Sequence, residues 1–205
     1  MDALYMEATY PPCLTHDEKD QIFKDGSLYQ YSLRLRRIIS QHLSGRFDCH
    51  ELNFWIVQRW GGIFNFIDNP ANRRKIESFG NALNNNEDLG LSNIASLSKI
   101  ASFVEPDRFF IYDSRAVYSL NLILLNSDYR GPFFPIPQGR GDQTKIKELR
   151  KSIRQRIGSK KAFYPYSVAY YRYCELLRET ATKVYDESSQ PERLEMLLFV
   201  LADSL

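Results

Sequence analysis

Residues 92–125 read SNIASLSKIASFVEPDRFFIYDSRAVYSLNLILL, and the fold is decided here. Ile94, Leu97, Ile100, Ala101 and Val104 recur at helical spacing, which predicts a helix over 92–104 with one stripe facing a core. Pro106 ends it. Residues 108–112 read as a short extended link. Asp113 then suits the N-cap of a helix over 114–126. That second helix is apolar on nearly every face, through Ala116, Val117, Leu120, Leu122, Ile123, Leu124 and Leu125, so it is expected to be buried at the centre of the fold. On the first helix, Lys99 stands away from the apolar stripe, with Ala95, Ser96 and Ser102 as its face neighbours. All three are small, so something as bulky as a nucleic-acid backbone can approach this lysine closely.

Helix signals continue on both sides. Thr15-x-x-Glu18 is a capping box for a short helix that stops near Asp25-Gly26, and a second helix is expected over 27–44 with Gly45 as its stop. Asp48-x-x-Glu51 reads as the cap of a third helix through Leu52, Trp55, Ile56 and Arg59 that ends at Gly61-Gly62. Asn69-Pro70 opens a fourth, running to about Leu83. Beyond the central pair come a loop over 127–141 with three glycines and three prolines, a basic helix, a helix over 165–185 and a last one over 191–205. The fold class is therefore mostly α. A length of 205 residues fits one domain, or one domain of two packed lobes, and 43% apolar residues supply a core.

The net charge of +2 hides an uneven distribution. From Lys145 to Lys161, eight cations face one acid, Glu148, a net +7, whereas the first twenty and last twenty residues each carry −4. Such a belt is the electrostatic footprint of a polyanion site; the plainer alternative is a solvated helix face. Other chemistries lose their support. His16, His42 and His50 show no metal spacing, and no phosphate-cradling G-x-x-x-x-G-K-[S/T], no G-x-G-x-x-G and no G-x-S-x-G is present. Three scattered cysteines argue for a reducing compartment, no apolar run reaches membrane-helix length, and the acidic N-terminal stretch MDALYMEATYPP is not expected to be a cleaved signal peptide.

The segment resembles the catalytic part of the helix-hairpin-helix DNA glycosylases, particularly the 8-oxoguanine branch. In that family a helix carrying a catalytic lysine is followed by an extended link and an aspartate capping an apolar helix. Ser98-Lys99-Ile100-Ala101-Ser102 matches the first element and Ile111-Tyr112-Asp113-Ser114-Arg115 the second. NFWIVQRWGGIFNF, residues 53–66, is similar to the earlier family helix that ends in a strand-inserting residue, and the helix after Asn69 to the one that follows it. The resemblance covers about residues 48 to 126 and extends to small bacterial glycosylase-like proteins associated with phage defence. Two features depart: the lysine-to-aspartate separation is somewhat shorter than the family's, and the family's glycine-rich hairpin turn, which binds a DNA phosphate, has no counterpart near 94–98. The helix-hairpin-helix element is thus degenerate, and phosphate anchoring falls to the Ser96 and Ser98 hydroxyls or to the basic belt.

The resemblance implies a single DNA glycosylase-like domain over 1–205. It is a two-lobed helical bundle, with lobe one over about 45–126, lobe two made of the N-terminal helices plus 127–205, and an active-site cleft between them. The enzyme flips a modified base out of double-stranded DNA and cleaves its N-glycosidic bond, with lyase activity through Lys99; modified phage DNA is a candidate substrate. Lys99 attacks the sugar C1′ as a neutral amine and Asp113 stabilises the cationic sugar. Lys145, Lys147, Arg150, Lys151, Arg154 and Arg156 are expected to bind DNA together with Ser96 and Ser98. Gln58, Arg59, Trp60, Phe133 and Phe134 are candidates for the wedge or the base pocket; Trp60, like Trp55, Phe64 and Phe66, reads first as core. No metal or cofactor is expected, nor a membrane partner, and the protein is expected to be a monomer in the cytoplasm, nucleoid-associated when bound to DNA. Two other classes remain open: a non-enzymatic DNA-binding module using the basic 145–161 helix, and a domain that binds acidic protein partners.

Overall fold

The structure, a computed structural model, describes residues 10–11, 13–24, 26–138, 143–158, 162–185 and 191–204. Asp25, the loop tail at 139–141, Lys160 and Lys161 of the belt, and several of the terminal acids lie outside them. The chain is mostly α-helical. Among the described residues there are nine α-helices and no named strand: α1 His16–Phe23, α2 Leu28–Leu43, α3 His50–Trp55, α4 Pro70–Asn85, α5 Ile94–Val104, α6 Ser114–Asn126, α7 Gln143–Ile157, α8 Tyr166–Tyr185 and α9 Glu192–Ser204. A π-helical turn, Ile56–Trp60, continues α3. Among the described residues, extended backbone pairs only at an isolated parallel bridge between Phe133 and Phe163.

The chain divides into two compact units. The first holds the described residues up to Asn86 together with Lys99–Phe109; the second holds Glu87–Ser98 and Phe110 onward. Helix α5 passes from one to the other between Ser98 and Lys99.

The first unit begins with the capping box of Thr15 and Glu18, formed as expected, and a second box at Ser27 and Gln30 opens α2. The Thr15 backbone N–H, donated to Glu18, holds that carboxyl below its usual range, and Glu18 also takes His42 at 2.8 Å. Helix α2 ends through Ser44 and Gly45, both at positive φ. The start of α3 differs from expectation. Its N-cap is Cys49, without a side-chain cap bond, because Asp48 stands one residue too early. Asn69 caps α4 with Pro70 behind it, and the helix runs two residues past Leu83 to a left-handed Asn86. Ile39, Leu43, Ile56, Val57, Ile76, Leu83, Ile100 and Phe103 are fully buried in this unit. Phe47 packs against Gly80, where a Cβ would stand 2.4 Å from the ring.

In the second unit α6 packs against α9 and α7. Its first two turns bury Ala116, Val117, Leu120 and Asn121, as a central helix should. Its last turns do not: Leu122, Leu124 and Leu125 are half-buried and Ile123 is exposed. The expectation of burial on every face thus holds only up to Asn121. Asn121 fastens the following loop with two bonds, accepting from Phe134 N at 2.9 Å and donating to Phe134 O at 2.7 Å. Tyr112, Tyr170 and Tyr173 of this unit are fully buried and meet edge to face. No helix among the described residues is long and apolar enough to cross a membrane.

Candidate functional site

Lys99 is buried, with 7% of its surface exposed. A lysine is almost never this buried unless something holds it. Its position is set by the π-turn of the same unit. Gly61 N donates to Ile56 O at 2.8 Å and Ile63 N to Val57 O at 3.0 Å, so the turn closes with wide rings and sets Gly61 against the lysine stem. A Cβ on Gly61 would lie 2.7 Å from Lys99 Cδ and 2.8 Å from the Val57 carbonyl oxygen. No side chain fits there, and the glycine is required by close approach. One turn along α5, Phe103 takes the Trp60 ring edge-on at 4.8 Å. The Arg36 guanidinium lies within cation–π reach of both rings, at 5.4 and 5.8 Å from their centroids. The helix face around Lys99 is small, as expected, but closed: Ser96 and Ser98 are buried, and Ser102 Oγ donates to Lys99 O at 2.8 Å.

Asp113, in the second unit, caps α6. Its Oδ1 accepts from Arg115 N at 3.0 Å and Ala116 N at 2.9 Å. A carboxylate in that place is favoured by the helix dipole. The last three residues of the link before it, Phe110 to Tyr112, are tied down by side chains. Tyr170 donates to Phe110 O at 3.1 Å, Ile111 N donates to Glu195 Oε2 at 2.8 Å, Tyr173 donates to Ile111 O at 2.9 Å, and Tyr112 N donates to Ser98 Oγ at 2.9 Å. Burial, followed by the nearby Glu195 and Asp113 carboxylates, holds the Tyr173 phenol well above the usual tyrosine range. It therefore stays a donor.

The basic helix α7 presents its cations on two flanks. At about 100° per residue, Ile146, Leu149 and Ile153 form the inward stripe. Lys147, Arg150, Lys151 and Arg154 fall on one flank and, with Gln155, line an open depression of about 430 Å³. Lys145 and Arg156 fall on the other flank. Arg150 is half-buried and donates to Ile136 O at 2.8 Å, while Arg156 donates to Leu125 O and, at 2.6 Å, to Ser127 O. Lys147, Lys151 and Arg154 are exposed and make no ion pair or side-chain hydrogen bond with any described residue.

Several expected contacts are corrected by burial. Ser98 spends its hydroxyl on Tyr112 N and Ser96 is 5% exposed, so neither offers a hydroxyl to a phosphate. Phe133 and Phe134 are 0% and 1% exposed and pack on Tyr129, Tyr164 and Tyr173; no ring face is open to a base. Trp60 packs on Phe103, and Gln58 donates to Phe66 O at 2.8 Å, tying down the loop. Arg59 is exposed. The aromatic the sequence placed in the core but the structure exposes is Phe64, at 61%, on the loop after Gly61-Gly62. Arg36 and Glu195 are not singled out in the sequence, and Gly61 reads there only as the stop of the third helix; a lone arginine or glutamate on a helix carries no motif. No group of three or more His, Cys, Asp or Glu among the described residues could hold a metal ion. No family model, no curated protein and no solved structure matches the chain.

Proposed function

We propose that this protein is a DNA glycosylase that displaces a modified base with Lys99, and the observation that carries the reading is the burial of Lys99 against Gly61 at the end of the π-turn. A lysine amine attacks only when neutral. The Lys99 amine bonds to C1′ of the extruded nucleotide as the bond from C1′ to the base breaks. The sugar ring then opens to a Schiff base, from which loss of the 3′ phosphate cleaves the strand. Asp113 holds its carboxylate in place by capping α6 and stabilises the positive charge that develops on the sugar. The Lys147, Arg150, Lys151 and Arg154 flank binds phosphates, and Phe64 takes the inserting role in place of Trp60. No cofactor takes part. The expected setting is a monomer on cytoplasmic DNA, with modified phage DNA among the substrates.

The test is single-turnover incubation with duplexes carrying a panel of modified bases, hypermodified phage bases included, scored for abasic sites and for borohydride-trapped crosslinks. Base release that requires Lys99 supports the reading; no release from any duplex overturns it. A second reading, DNA binding without catalysis, is favoured by the acid-free α7 flank. It predicts duplex binding that survives Lys99→Ala and no trapping in any variant.

A further inference from the structure

We infer that Glu195, on the C-terminal helix α9, is a positioning residue for Asp113. The inference rests on the catalytic role proposed for that aspartate, but its geometry stands alone. The link from Phe110 to Tyr112 is extended backbone without a partner strand among the described residues. Buried backbone groups need partners, and here side chains supply them. Glu195 is 3% exposed, and its Oε2 reaches across 84 residues of sequence to take the Ile111 N–H at 2.8 Å. Tyr173 takes the carbonyl of the same residue from α8 at 2.9 Å. Ile111 is thus gripped at both backbone groups, two residues before Asp113.

Helix α9 is itself braced against the first turn of α6, because the Arg115 guanidinium lies 3.9 Å from the centre of the Phe199 ring. The bond from Ile111 to Glu195 fixes where the link lies, and the cap bonds from Arg115 and Ala116 to Asp113 Oδ1 fix how the aspartate turns. Removing the first bond frees the chain that carries the second. A carboxylate is suited to the task because a charge-assisted bond to a backbone N–H is shorter and stronger than a neutral one. Burying it without that N–H would be costly, so Glu195 and Ile111 constrain each other.

The experiment uses the full chain. Amide hydrogen exchange is measured at Ile111, Arg115 and Ala116 in wild type, Glu195→Leu, Glu195→Gln and Tyr173→Phe. Glu195→Leu should speed exchange at all three amides at least tenfold while leaving the amides of α8 protected. Glu195→Gln, which keeps an acceptor oxygen, should restore most of the protection. If Glu195→Leu does not fold, Tyr173→Phe is the deciding variant: it removes only the second grip and should speed the same three amides by a smaller factor. Wild-type exchange at Arg115 and Ala116 in the folded variants would overturn the inference, as would equal damage from Leu and Gln. The second readout is single-turnover base release. Glu195→Leu should slow it in the wild-type background and cost nothing further in Asp113→Asn; additive losses would place Glu195 in a different role. Wild-type release by Asp113→Asn would remove the glycosylase reading and leave the exchange result to decide the positioning on its own.

Discussion

Lys99 on α5 and Lys147 and Lys151 on α7 are the same side chain in opposite surroundings. Lys99 is buried, its stem against Gly61, in a helix with an apolar majority. Lys147 and Lys151 stand in solvent beside two arginines, on a helix whose only buried residues are three aliphatics. The sequence neighbourhood explains the difference. Around Lys99 the spacing leaves no other charge, so the helix buries on more than one face; around Lys147 the cations repeat at i, i+3, i+4 and i+7 and keep that flank wet. A buried amine is suited to bond-making and an exposed stripe to holding phosphates. The two should therefore fail in different assays.

The largest effects belong to the buried side of the contrast. Lys99→Ala should abolish borohydride trapping, and Asp113→Asn should lower single-turnover base release by about 100-fold or more, the usual cost of removing a group that stabilises transition-state charge. Both should bind duplex DNA as wild type does, since asparagine still caps a helix. If trapping persists in Lys99→Ala, another amine is the nucleophile and the contrast loses its catalytic half.

Neutralising Lys147, Arg150, Lys151 and Arg154 together should do the reverse. Each phosphate contact adds about 0.9 to the slope of log affinity against log salt, so the variant that loses all four should flatten that slope by about 3.6. Base release at saturating protein should be unchanged. A slope equal to that of wild type would move the phosphate contacts off α7.

The structural support of Lys99 yields a smaller effect. Gly61→Ala would place a Cβ against the lysine stem and the Val57 carbonyl at once. The lysine stem can swing aside, but the Val57 carbonyl is part of the turn itself, so the turn must shift. Thermal unfolding should show a loss of about 1–3 kcal/mol, the range for forcing a methyl into filled space. Full stability in Gly61→Ala would mean that the π-turn has slack, and that the lysine is not held by it.

The parts legible in the sequence were those fixed within a few residues. The capping box at Thr15 and the N-cap at Asp113 need only local bonds, and the cation spacing on α7 needs only the helical period. That same period, applied to Lys145 and Arg156, also sets them apart from the other four cations. The π-turn was not legible, because its extra residue changes the hydrogen-bond register and not the composition. Ser98, Phe133 and Phe134 were misjudged for another reason: their partners lie 12 or more residues away, and a loop rich in aromatics reads as open until its backbone bonds to Asn121 and Ala162 are known. Glu195 was invisible because its partner is 84 residues distant.

The smallest effect separates the two flanks of α7 itself. Arg156 belongs to the basic belt by sequence, yet its guanidinium donates to Leu125 O and Ser127 O, carbonyls at and just past the last turn of α6. Helix ends leave such carbonyls without intrahelical partners, and a cation there also meets the negative end of the dipole. Its work is therefore to finish α6, and it has no donor pair left pointing to a phosphate from that geometry. Arg156→Ala should cost about 1 kcal/mol of stability, the net value of a modest pair of exposed hydrogen bonds, read as a fall of a few degrees in Tm. Its salt slope for duplex binding should match wild type within about 0.3, well short of the 0.9 that one phosphate contact contributes. Arg154→Ala, two residues earlier on the other flank, should show the opposite pair of results: an unchanged Tm and a slope flatter by close to one contact. Equal slopes for the two variants would mean that DNA reads the belt as a whole, and that the division into flanks has no bearing on binding.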